Sequence, residues 1–178
     1  MEKFEQYSIP FVGLKYGIHH FDYEIGDGFW NNFPNAPISK SEVSVHLTFD
    51  RKNNFFTLNF EMKGKVNVEC DRCTDYFDLP IYSENKIVVK LVESEKTEES
   101  EDADIIFISK TETEFNVAQL VYELINLCIP MHKTHPDNED GESTCNKKML
   151  NELQKHLNSE NKNEIDPRWA ALKKISKN

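Results

Sequence analysis

The chain has no long apolar run and little glycine. No stretch of about 18 consecutive apolar residues occurs in it, so the sequence predicts no transmembrane helix. The first residues, MEKFE, lack the basic and then apolar pattern of an export signal. Only 6 glycines are present, which leaves little material for the tight loops that cradle phosphates. We therefore expect a cytoplasmic protein without membrane contact.

Sequence motifs of common enzyme classes are also missing. The chain contains no glycine-rich phosphate loop, no nucleophile elbow and no HExxH motif. Acidic residues are numerous, yet none stands out as a catalytic pair. We expect a non-catalytic protein with no small-molecule substrate.

Positive charge is scarce overall and is concentrated near the end of the chain. The 178 residues include 21 Lys and Arg and 31 Asp and Glu, for a net charge of -10. Residues 143–178 carry 8 basic and 4 acidic side chains, whereas residues 1–142 carry 13 and 27. Because nucleic-acid affinity depends largely on Lys and Arg, this acidic body favours a basic protein partner, and the basic tail allows at most a weak or indirect contact with RNA.

Composition and the positions of polar loop segments predict one main domain. With 38% hydrophobic and 29% charged residues, the chain can bury a core. We predict a single domain over residues 1–157, containing an acidic loop at 93–104 and a loop of metal-ligand type at 131–145. The acidic loop is either a solvated connection or a docking strip for a basic protein. Residues 158–178 are predicted to form a linker and a short basic helix that begins at Asp166 and Pro167.

Hydrophobic periodicity predicts an α+β fold, an antiparallel β-rich body (a twisted sheet or an open barrel) followed by two or three C-terminal helices. Period-2 alternation predicts strands at 21–25, 65–69, 77–82, 86–92 and 104–109. It also predicts a hairpin over 42–62 with its turn at 51–54. Asn116 is predicted to cap a helix with Gln119 at its third position, and Pro130 to end it. A second helix is predicted at 147–157.

The clearest chemical signal is Cys70-Asp71-Arg72-Cys73. Two cysteines separated by two residues in a turn form half of a zinc site. The later loop supplies His132, His135 and Cys145, and we predict that Cys70, Cys73, His135 and Cys145 bind zinc, with His132 as the alternative histidine. Four protein ligands would leave no position for water, so the zinc would be structural.

Two other interpretations of these residues stay open. A redox CxxC normally begins a helix, whereas residues 74–80 are predicted to be strand and turn. Alternatively, the cysteines are free and His135 is an ordinary loop residue. Cys128 lies on the apolar face of the predicted helix, so we exclude it as a ligand. The remaining histidines have no companions at metal-binding spacing; they are His19, His20, His46 and His156.

These motifs, taken in order, resemble the YceD family, the large ribosomal RNA subunit accumulation proteins. Gly64-Lys65-Val66 leads to Cys70-Asp71-Arg72-Cys73 and then Phe77; an aliphatic helix ending at Leu127–Pro130 is followed by His135 and Cys145. The resemblance covers about residues 60–150. The stretches His135-Pro136-Asp137 and Asp166-Pro167-Arg168-Trp169 are similar to Bacteroidetes-type members.

The resemblance implies a role in producing or maintaining large-subunit ribosomal RNA, without catalytic residues. It implies Cys70, Cys73 and Cys145 as site residues, whereas His135 rests on our own inference. We expect an accessory protein of large-subunit biogenesis that binds a basic ribosomal protein or assembly factor. The alternatives are a direct RNA-binding zinc knuckle, for which the turn offers only Arg72 as a phosphate contact, and a nuclease or hydrolase with catalytic zinc.

Overall fold

The computed structural model describes residues 2–93 and 104–160. Its strands are β1 (Ser8–Ile9), β2 (Gly17–Ile25), β3 (Ser41–Arg51), β4 (Phe55–Glu69), β5 (Tyr76–Val92), β6 (Ile105–Ser109) and β7 (Phe115–Asn116). Its α-helices are α1 (Asp27–Trp30), α2 (Ala118–Leu127) and α3 (Lys147–Glu160), and short 3-10 helices cover Glu2–Tyr7 and Phe11–Gly13. None of the helices in the described ranges combines the length and apolarity that a membrane crossing requires.

The strands form one large sheet and one small one, which confirms the α+β prediction. The large sheet has the order β2-β3-β4-β5-β6, and β1 pairs with β7 in a separate two-stranded sheet. Neighbouring strands from β2 to β5 are antiparallel, whereas β6 is parallel to β5. Within the described residues the large sheet ends at β2 and β6 and does not close into a barrel. The parallel pairing of β6 was not predicted.

Alternation along β3 and β4 explains which face of the large sheet is buried. Every second residue of these strands is buried, and its neighbours point to the other side. The buried positions are Ser41, Val43, Val45, Leu47 and Phe49 in β3 and Phe56, Leu58, Phe60, Met62, Val66 and Val68 in β4. The hydrophobic ones among them join α2 residues such as Val121 and Ile125 in one apolar core.

The strands β4 and β5 are longer than predicted. The sequence analysis placed a break at Gly64 and another between residues 82 and 86, yet β4 continues through Gly64 and β5 runs unbroken from Tyr76 to Val92. A Cβ at Gly64 would lie 2.1 Å from the carbonyl oxygen of Glu42, so glycine here permits a close approach of two strands. Pro80 lies outside the stretch of β5 that pairs with β6. At such an edge position a proline can lack its N–H without losing a hydrogen bond on the β6 side.

The start of α2 differs in detail from the prediction. The N-cap position belongs to Val117, but the Asn116 side chain still accepts a hydrogen bond from the Ala118 N–H, at 2.9 Å. Gln119 donates to Glu123 rather than completing a capping box with Asn116. The helix ends at Leu127, before Pro130 as expected.

The described residues group into two compact units, which we describe separately. The first contains residues 2–69, 76–93 and 104–133, and the second contains residues 70–75 and 134–160. The apolar core belongs to the first unit. The boundary predicted at residue 157 stays a prediction. Most of the predicted acidic loop and the helix predicted after Pro167 lie outside the described residues.

Candidate metal centre

The CxxC motif forms a tight turn that connects β4 to β5. The Thr74 N–H donates to the Cys70 carbonyl at 2.9 Å, and the Cys70 N–H donates to the Asp75 carbonyl at 3.0 Å. The Arg72 N–H points at the Cys70 sulfur, 3.4 Å away. Thr74 has φ 61°, a left-handed conformation that is uncommon for a β-branched residue. The turn therefore directs both sulfurs to one side at the cost of local backbone strain.

A small hairpin brings His135 and Cys145 together. Asp137 and Ser143 form an antiparallel bridge, and the Asn138 N–H donates to the Glu142 carbonyl at 2.8 Å. The Asn138 side chain also accepts the Glu142 N–H at 2.7 Å. Gly141 closes the turn at φ +77°, where glycine carries no steric penalty. The chain thus reverses between the two predicted ligands.

Two side-chain hydrogen bonds join the cysteine turn to this hairpin within the second unit. The Arg72 guanidinium donates to the Ser143 hydroxyl at 3.1 Å. The Asn146 amide donates to the Asp75 carboxylate at 3.0 Å, while the Asn146 side-chain oxygen accepts the Lys148 N–H at 3.0 Å and so caps α3. One asparagine therefore links the turn to the start of the helix.

The structure brings together all four residues that the sequence analysis selected. The donor atoms of Cys70, Cys73, His135 and Cys145 lie within 4.8 Å of one another. The Cys70 and Cys145 sulfurs are 3.7 Å apart, and His135 Nδ1 lies 3.5 Å from the Cys73 sulfur and 3.7 Å from the Cys145 sulfur. His132 is not a member of this group.

Three of these separations are close to the edges of a tetrahedron around zinc. With Zn–S bonds of about 2.3 Å and Zn–N bonds of about 2.0 Å, tetrahedral geometry requires S···S edges of about 3.8 Å and S···N edges of about 3.5 Å. The observed contacts of 3.7 Å and 3.5 Å are close to these values. The group could therefore hold a metal ion.

The cysteines of the group are removed from solvent. Cys70 and Cys73 are 0% exposed and Cys145 is 3% exposed. Burial favours the neutral thiol of Cys70, but hydrogen bonds from the Arg72 and Cys73 backbone and from His135 outweigh it and lower the Cys70 pKa to about 6. Burial and the neighbouring thiols of Cys70 and Cys145 raise the Cys73 pKa. A bound cation would stabilise the thiolate form of Cys70 further.

Cys128 lies at the C-cap of α2 and is half-buried. Its sulfur donates to the Leu124 carbonyl at 3.1 Å, one turn back in the helix, and burial raises its pKa. It is not a member of the four-residue group.

The sequence analysis did not predict the side-chain hydrogen bonds that Asn138, Asn146 and Arg72 make around the four-residue group. Asn138-Glu139-Asp140-Gly141 is a recognisable turn sequence and would have predicted the hairpin. The pairing of Asn146 with Asp75 spans 71 positions and has no local signal.

Comparison with protein families identifies the group to which the chain belongs. The family model of YceD, described as large ribosomal RNA subunit accumulation protein, matches residues 58–176. The match includes all four members of the cysteine and histidine group. Searches of curated proteins and of solved structures found no match. Because the family model spans about two thirds of the sequence, the chain belongs to the YceD family.

Proposed function

We propose that this protein is a non-catalytic accessory factor of large ribosomal subunit biogenesis, needed for large-subunit ribosomal RNA to accumulate. It acts by binding a basic ribosomal protein or assembly factor, in the cytoplasm, and its second unit is organised by a structural zinc ion. The observation that carries the proposal is the family match over residues 58–176.

The donor set supports zinc. Three sulfurs and one imidazole nitrogen form a common structural zinc site, whereas Mg²⁺ and Ca²⁺ prefer oxygen ligands. In the described part of the second unit, the only buried side chains are those of Cys70, Cys73 and Cys145. A segment without an apolar core needs another source of folding free energy, and a bound zinc ion supplies it.

The same donor set argues against zinc catalysis. A catalytic zinc keeps one position for water or substrate, usually beside three protein ligands. Here four protein donors converge, so the zinc would stabilise structure rather than activate water.

Charge supports a basic protein partner. The net charge of -10 opposes phosphate and attracts cationic surfaces, particularly at low ionic strength. Arg72 is the single cation of the cysteine turn, and one phosphate contact contributes little RNA affinity. We therefore favour protein binding over a direct RNA-binding zinc knuckle.

Affinity capture from a lysate tests the proposal. The full chain should retain ribosomal proteins or assembly factors at low salt, and the retained amount should fall at moderate salt, because screening weakens contacts between exposed charges. Capture without ribosomal components, or a partner set unaffected by salt, would contradict it. Filter binding to large-subunit RNA fragments separates the two binding modes, since tight RNA binding by the protein alone would favour the alternative.

A further inference from the structure

The large sheet has one face that is not covered by the apolar core. In β3 and β4 the residues between the buried positions are exposed or half-buried, and in β2 exposed residues alternate with half-buried ones. Tyr82 in β5 belongs to this face and is 59% exposed. Within the described residues this face is open to solvent and therefore available to a partner.

A row of charged residues crosses four strands of this face. The register places Asp22 opposite His46, His46 opposite Glu61, and Glu61 opposite Glu84. Strands lie about 4.8 Å apart, so the row spans roughly 14 Å. The row is therefore long enough to contact several side chains of a bound segment.

Neighbouring residues only partly neutralise the row. The adjacent row on one side contains Glu24, Ser44, Lys63 and Tyr82, and the adjacent row on the other side contains His20, Thr48, Asn59 and Lys86. These three rows contain four carboxylates and two lysines. Asp22 contacts His46 at 2.6 Å. The face as a whole retains negative charge.

The pair Glu61 and Glu84 is unfavourable in the free protein. Carboxylates directly opposite each other on antiparallel strands have Cβ atoms about 5 Å apart and repel. Among the described residues, neither glutamate has a lysine or arginine at ion-pair distance. Glu84 accepts a hydrogen bond from the Tyr82 hydroxyl, which leaves its charge in place. Both line an open hollow on this face, together with His46 and Lys86.

We propose that this face is the docking surface for the basic partner, with an arginine of that partner bridging Glu61 and Glu84. The proposal rests on the proposed function for the identity of the partner. One guanidinium presents several donors in a plane and can bond two carboxylates at once, whereas an ammonium group is a point charge. The partner segment is therefore arginine-rich, and binding relieves the repulsion between the two glutamates.

Direct titration tests the surface independently of the ribosome. The full-length protein is titrated with a fluorescent peptide of alternating arginine and alanine, and with the lysine equivalent, at low salt. The variant E61Q/E84Q should bind the arginine peptide roughly three- to tenfold more weakly, as expected for two exposed charge contacts. The control E112Q/E114Q removes two exposed carboxylates outside the strands and should change affinity less than about twofold.

Thermal unfolding separates a binding role from a structural one. Removing the repulsion should raise the melting temperature of E61Q/E84Q while binding weakens. A lower melting temperature, or equal weakening in the E112Q/E114Q control, would overturn the assignment.

Capture from a lysate distinguishes this inference from the function it rests on. If the wild type retains ribosomal proteins and E61Q/E84Q retains them equally well, the docking surface is wrong and the proposed function stands. If the wild type retains none, the proposed function fails, and the peptide titration still decides whether the face binds arginine-rich segments.

Discussion

Ser41 shows how one buried polar side chain organises an edge of the sheet. It is 7% exposed. The Trp30 indole N–H donates to its hydroxyl at 2.6 Å, and the hydroxyl donates to the Ile25 carbonyl at 2.8 Å. The Ser41 N–H donates to the Asp27 carboxylate at 3.0 Å. These bonds hold α1 against the start of β3, an arrangement that strand periodicity does not reveal.

We predict that Ser41→Ala lowers the free energy of unfolding by about 1–3 kcal/mol, because it leaves a buried indole N–H and a carbonyl without partners. Denaturant unfolding measures the change. Ser44→Ala is the matched control; Ser44 is exposed and its hydroxyl donates to the exposed Glu24 carboxylate, so its effect should stay within about 0.5 kcal/mol. Equal effects of the two substitutions would contradict this interpretation.

The histidines offer a second prediction at the residue scale. His135→Ala should weaken zinc binding at least about tenfold, since it removes a proposed ligand rather than a residue that only supports one. His132→Ala should leave affinity unchanged, because His132 is outside the group. Competition with a chromophoric chelator measures both affinities. Loss of affinity in the His132 variant alone would show that the wrong histidine was assigned.

Sequence spacing predicted the three cysteines and His135 but left His132 open as the alternative histidine. Both histidines belong to the same polar loop. The choice depends on where the chain reverses, which the Asn138 side chain and Gly141 determine. The CxxC pair was easier to predict from the sequence, because one local turn fixes both of its sulfurs.

At the scale of elements, periodicity predicted the type of most strands and helices but not their lengths. Gly64 and Pro80 are local interruption signals, yet pairing with neighbouring strands overrides both. The two-residue strands β1 and β7 are too short to produce any pattern. The parallel direction of β6 depends on the path of the preceding connection, which alternation does not encode.

Gly64→Ala should destabilise the sheet by about 1–3 kcal/mol, the usual cost of overpacking. The added Cβ would lie 2.1 Å from a backbone oxygen and 2.7 Å from the Val43 Cα, and neither atom can move aside like a side chain. Gly28→Ala is the control, because nothing lies within 4 Å of a Cβ there. Thermal unfolding compares the two, and a Gly64 variant as stable as the Gly28 variant would contradict the close approach.

At the scale of the whole molecule, the two units differ in what stabilises them. The first has an extensive apolar core, whereas buried side chains in the described part of the second are limited to three cysteines. Family membership and charge were readable from the sequence. The charged row on the exposed sheet face could not be predicted from the sequence, because it exists only through the register of four strands.

Metal removal should therefore affect the units unequally. Hydrogen exchange after treatment with a strong chelator should show faster exchange in residues 134–157, because zinc binding and folding of this segment are coupled. Amides in β3 and β4 should stay protected by their ladder and core. Uniform loss of protection, or none in either unit, would contradict the proposed division of roles.

Native mass spectrometry of the full chain, purified without added metal, tests the central claim most directly. We predict a mass corresponding to one zinc ion per chain, which disappears in Cys73→Ser and persists in Cys128→Ser, because Cys73 belongs to the four-residue group and Cys128 does not. A metal-free mass for the wild type, or zinc retained equally by both variants, would contradict a structural zinc site at these residues.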